Sequence, residues 1–205
     1  MAAGLRSVIG LVAGFGRCGS SLVMAMLSAG GLPVVGHPPI FESTEFTEHC
    51  TSETFLRKHD GSILKWLDPT HTYLPHAFRG DPVLWLDRDP AAWAESHMKL
   101  RNMWTGLPLR HEDPIAHASL SAEVAERTSS VLQKIGSYGS LDRLRFEDIL
   151  AKPRDAAETL RRVFRAFGYL DINRASAVVR ERTAECAPGM EFGPDDVLAS
   201  IRRTR

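Results

Sequence analysis

The chain has 205 residues, with 25 basic and 25 acidic side chains that bring its formal net charge to zero, and 43% of its residues are hydrophobic against 24% charged. Such a length and balance define a single domain, residues 1–205, able to bury a substantial core, and exclude a global field that would draw it to nucleic acid or to an anionic membrane. The three cysteines, Cys18, Cys50 and Cys186, are odd in number and irregularly spaced, which speaks against a disulfide framework or a zinc site and for a reducing compartment, the cytoplasm by default.

In chain order, the first apolar run (7–13) is too short for a signal peptide and continues into Gly14-Phe15-Gly16-Arg17-Cys18-Gly19-Ser20-Ser21, then into a second apolar run. That pattern predicts strand, glycine-rich loop, helix. Further β-rich runs fall at 32–36, 62–67, 82–87 and 140–145, most of them nearly continuous in apolar residues. Helical patterns cover 19–29, 47–58, 90–103, 115–135, 153–167 and 173–181. Asp89-Pro90 supplies an N-cap and a first-turn proline, and Lys152-Pro153 marks another helix start. Alternation of this kind predicts an α/β fold in three layers, a mainly parallel sheet flanked by helices. No run of about 18 apolar residues is present, so no membrane span is expected.

The loop after the first strand fits two motifs. Gly14-x-Gly16-x-x-Gly19 is a dinucleotide fingerprint, and Gly14-x4-Gly19-Ser20-Ser21 is a P-loop frame in which Ser20 replaces the lysine. The first wants an acidic residue at the end of the next strand, yet the 32–36 run ends at His37 with no acid before Glu42. The second keeps its anion cradle, with Arg17 as a replacement cation. A phosphorylated or sulfated ligand is expected there, because glycines admit close approach and helix N-termini favour anions. In open α/β sheets ligands sit beyond the carboxyl ends of the strands, which directs attention to the residues after Gly14, Gly36, Leu67 and Asp87.

Four ordered segments resemble the sulfotransferases that use 3′-phosphoadenosine 5′-phosphosulfate (PAPS). Gly14 to Ser21 is similar to their 5′-phosphosulfate loop, and Leu86-Asp87-Arg88-Asp89-Pro90 with Ser96 eight positions beyond Arg88 is similar to their 3′-phosphate site. Ile63-Leu64-Lys65-Trp66-Leu67-Asp68-Pro69-Thr70-His71 resembles a segment of the bacterial branch. Leu144-Arg145-Phe146-Glu147-Asp148-Ile149-Leu150-Ala151-Lys152-Pro153 resembles the segment near the adenine pocket. Two positions depart from the pattern: Gly16 stands where the family has proline and Cys18 where it has a hydroxyl. The basic-glycine loop of some eukaryotic members has no match in 185–196.

The resemblance implies a P-loop-like sulfotransferase fold and transfer of a sulfuryl group to a hydroxyl or amine of a small-molecule or glycan acceptor, with no metal required. Gly16, Arg17, Cys18, Gly19, Ser20, Ser21, Arg88, Ser96 and Phe146 are the expected cofactor-binding residues. Arg17, Lys65 and Glu42 are the expected catalytic residues, Lys65 for charge on the bridging oxygen and Glu42 as general base, with Glu45, His37 and His71 as alternates. Physically, a donor with two anionic ends needs two cationic, hydroxyl-bearing subsites, Arg17 with Ser20 and Ser21 for one and Arg88 with Ser96 for the other. A P-loop kinase of small metabolites and a non-catalytic binding module built on a degenerate P-loop are the alternative readings. The acceptor is not written in the sequence, and a homo-oligomer stays open.

Overall fold

The computed structural model describes residues 8–43, 53–67, 69, 81–105, 114–136 and 140–179. Its frame is a parallel sheet of four strands, β1 (Gly10–Gly14), β2 (Ile63–Leu67), β3 (Val83–Asp87) and β4 (Leu141–Arg145), in the order β2-β1-β3-β4. In register, Gly10 lies opposite Ile63, Leu11 opposite Val83, and Val83 opposite Leu141. Every residue of β1 is buried. An apolar strand without polar alternation belongs in the middle of a sheet covered on both faces, and β1 occupies that place.

Among the described residues the helices are α1 (Ser20–Ala29), α2 (Glu53–Lys58), α3 (Pro90–Thr105), α4 (Pro114–Gly136), α5 (Phe146–Ala151), α6 (Pro153–Val163) and α7 (Ile172–Ser176), with a 3-10 turn over Arg165–Phe167. Successive side chains of a strand point to opposite faces, and the two cores sort accordingly. Val12, Leu84 and Leu86 pack with Val23, Leu27, Leu160 and Phe164 on one side. Leu11, Ala13, Val83 and Trp85 pack with Phe55, Trp93, Val131 and Ile135 on the other. The expected three-layer α/β architecture is the observed one.

Two element expectations are corrected and one element is added. The run 32–36 makes one bridge, Val34 to Ile63, in place of a strand. Pro33 has no N–H to donate to a ladder, and Gly36 leaves the extended region at φ 91. The helix expected over 173–181 ends earlier, at Ile172–Ser176, with 180–181 outside the described residues, and is started by Asp171, whose carboxylate accepts from the Arg174 N–H at 3.1 Å. Between β4 and α6 an additional short helix, α5, begins directly at Phe146. Of the helix expected over 47–58, Glu53–Lys58 is present, and 47–52 lie outside the described residues.

From β1 the chain passes through α1 to the Val34 bridge and β2 on one side of the sheet, whereas β3 and β4 lie on the other. The winding therefore reverses between β1 and β3. The crevice beyond the carboxyl ends of two such strands is where open α/β sheets bind ligands. Gly14 and Asp87 border it here.

Candidate functional site

The loop between β1 and α1 is anchored in both cores, with Phe15 on one side of the sheet and Cys18 on the other. The Cys18 N–H donates to the Phe15 carbonyl at 3.2 Å, closing a tight turn. Within it Arg17 takes φ 74, a left-handed conformation that costs a non-glycine residue about 1–3 kcal/mol. Gly19, at φ 91, caps α1 with no side-chain hydrogen bond, and the first turn of α1 carries no acid. A Cβ on Gly19 would run into the Phe146 ring, so the position demands glycine for space as well as for conformation. The opening N–H groups of a helix have no intrahelical partner and present a positive end to an anion.

Two cations meet at this loop. The Arg88 guanidinium, just beyond β3, donates from Nη1 to the Arg17 carbonyl at 2.7 Å and lies 4.8 Å from the centre of the Phe146 ring. Arg17 in turn donates from Nε to Ser96 Oγ at 3.2 Å, and Ser96 is fully buried on α3. Sequence spacing paired Ser96 with Arg88; the structure places it against Arg17. Phe146 is itself buried and cushions Arg88. Asp87 is held by the Trp85 indole at 2.7 Å and by Arg143 at 2.8 Å, which fixes the end of β3.

Lys65 supplies a third cation from β2. Its Nζ donates to the Ile40 carbonyl at 2.7 Å, to Ser21 Oγ at 3.0 Å and to Glu42 Oε1 at 3.1 Å. Ser21 also donates to the Ile40 carbonyl at 3.3 Å. The Lys65 side chain is 3% exposed and the Glu42 side chain 52%, so the pair has a buried end and an open one. Burial holds the Lys65 pKa below 10.5, opposed in part by the neighbouring Glu42 carboxylate. Glu42 is thereby tied to the loop at Ser21 while its carboxylate stays accessible to solvent.

Of the residues expected from sequence, Gly16, Arg17, Cys18 and Gly19 lie in the loop after β1, Ser20 and Ser21 open α1, Lys65 is the middle residue of β2 with Glu42 bonded to it, Arg88 follows β3, Ser96 lies on α3 and Phe146 opens α5. Ser20 is buried. The His37 carbonyl accepts from the Phe41 N–H at 2.9 Å. Glu45 and His71 lie outside the described residues. Sequence reasoning left Trp93 in the core, yet its indole N–H donates to the Gly16 carbonyl at 2.7 Å. A signal was available, since Trp93 sits three residues before Ser96 and shares its helix face.

No group of His, Cys, Asp and Glu among the described residues is placed to hold a metal ion, and no described helix is long and apolar enough to cross a membrane. No protein-family model matches the chain, and no curated protein matches it in sequence. Among solved structures, the crystal structure of a sulfotransferase from Alicyclobacillus acidocaldarius is similar at a TM-score of 0.45 and 14% identity, over 98% of this chain and 92% of that one.

Proposed function

We propose that the protein is a sulfotransferase that moves a sulfuryl group from PAPS to a hydroxyl or amine of a small-molecule or glycan acceptor. The observation that carries this reading is that three cations are bonded around the loop after β1 and the first turn of α1, Arg88 to the Arg17 carbonyl, Arg17 to Ser96 and Lys65 to Ser21. Such a group of cations, hydroxyls and glycines fits a donor with two anionic ends. Arg17, Ser20, Ser21 and the opening N–H groups of α1 receive the 5′-phosphosulfate. Arg88, backed by Phe146, receives the 3′-phosphate, with Ser96 orienting Arg17.

PAPS supplies the sulfuryl group, whose bond to the 5′-phosphate oxygen breaks as the acceptor oxygen or nitrogen attacks in line. Glu42, open to solvent on one side, accepts the acceptor's proton. Lys65 orients that carboxylate through its 3.1 Å hydrogen bond and places a positive charge beside the bridging oxygen where negative charge grows. Arg17 neutralises the donor from the loop. Positioning and electrostatics supply the rate enhancement, and no metal is assigned to it.

Calorimetric titration with adenosine 3′,5′-bisphosphate in the presence of EDTA tests the reading. Saturable binding that Arg17→Ala and Arg88→Ala each weaken by about tenfold or more supports it. Magnesium-dependent binding of ATP with no binding of the bisphosphate indicates the kinase alternative. Unaltered biological activity in both variants indicates a binding module.

A further inference from the structure

The turn from Phe15 to Cys18 holds a conformational choice that the loop sequence does not explain. Its central residues are Gly16, whose φ is not positive, and Arg17, at φ 74. Those signs define a type II turn, whose third position favours glycine or asparagine and here carries arginine. A type I turn suits most residues and differs by a flip of the central peptide, the one joining Gly16 to Arg17. Left to local preference, this turn would adopt type I.

The flipped peptide is the one that Trp93 holds. Its indole N–H donates to the Gly16 carbonyl at 2.7 Å, and the indole is fixed by burial and by stacking on His97 at 4.8 Å between ring centres. Arg88 adds a second restraint one peptide further on, through the Arg17 carbonyl at 2.7 Å. Because a trans peptide sets its C=O and N–H on opposite sides, turning the Gly16 carbonyl toward α3 turns the Arg17 N–H away from α3. Trp93 therefore controls both a backbone donor and the direction in which the Arg17 side chain leaves the loop.

We infer that Trp93 is the positioning residue of the loop: its indole N–H selects the type II turn that orients Arg17 toward the 5′ anionic group of the nucleotide. The inference rests on the proposed nucleotide site and names a residue that its ligand set does not contain. Trp93 acts through the Gly16 carbonyl and touches no ligand.

Trp93→Phe retains an aromatic ring and removes the N–H. The full-length wild type and variant are titrated calorimetrically with adenosine 3′,5′-bisphosphate and with adenosine 3′-monophosphate, which lacks the 5′ group. The variant is expected to bind the bisphosphate about tenfold more weakly and the monophosphate within twofold of wild type. Equal losses for both nucleotides, as a purely structural role would give, or no loss for either, overturn the inference. Exchange of the Trp93 indole proton in the nucleotide-free wild type provides a test that does not depend on the variant folding or on nucleotide binding. Slow exchange supports the restraint, and exchange at the rate of an exposed indole overturns it. If the wild type binds neither nucleotide, the proposed nucleotide site fails and the orientation assigned to Arg17 falls with it, while the turn itself is still judged by that exchange rate.

Discussion

Lys65 joins stability and the candidate site in one side chain. Its ammonium is enclosed by Ile40, Ser21 and Glu42, and burial lowers its pKa from 10.5 while Glu42 raises it and the Arg17 charge lowers it further. Between the depressed folded value and 10.5 the unfolded chain binds the proton that the folded protein has released, so stability attributable to this residue rises with pH across that window. Below it the buried charge is a burden that apolar packing would not impose. Lys65→Met is therefore expected to stay within about 1 kcal/mol of the wild type at pH 7, or to exceed it. Between pH 7 and 10.5 its urea midpoint is expected to rise less than that of the wild type. An identical pH dependence in the two proteins would remove Lys65 from the account.

At the scale of elements, the N-terminus of α1 is set by its contact with α5. The Phe146 ring fills the space that a Cβ on Gly19 would occupy, so the two helices approach as closely as a glycine allows. Gly19→Ala combines a left-handed backbone with an occupied site and is expected to cost about 1–3 kcal/mol in urea denaturation. Phe146→Leu opens that space, and the double variant is expected to lose less than the sum of the single changes. Strict additivity would mean that the ring and the glycine do not constrain one another. At this contact the fold and the candidate site share residues, since the same ring supports Arg88 at 4.8 Å.

Across the whole molecule, β1 has a strand on each side and a packed layer above and below. Its amides at Leu11, Val12 and Ala13 are expected to exchange with solvent only through global unfolding, and those of β4, the outermost strand beside β3 among the described residues, sooner. Hydrogen exchange followed by NMR checks this, and faster exchange in β1 than in β4 would contradict the assigned centre. The sequence discloses this architecture because the glycine-bounded apolar run of β1 and the Asp89-Pro90 start of α3 are strong local signals. It does not disclose the failure of 32–36 as a strand, where Pro33 and the turn at Gly36 outweigh the apolar content. Nor does it announce α5, whose six residues are too few to display a helical period. Within the site, spacing identifies Ser96 as facing the crevice, but which arginine it meets depends on how far the loop leans toward α3. That lean is a tertiary property.

Phe15 and Cys18 lie only three positions apart, yet they enter opposite cores. The loop between them is in effect riveted through the sheet, so neither helical layer can shift without the other pulling on the same four residues. The anion proposed to bind there would meet a cradle cast in advance, with little of the chain to be recruited around it.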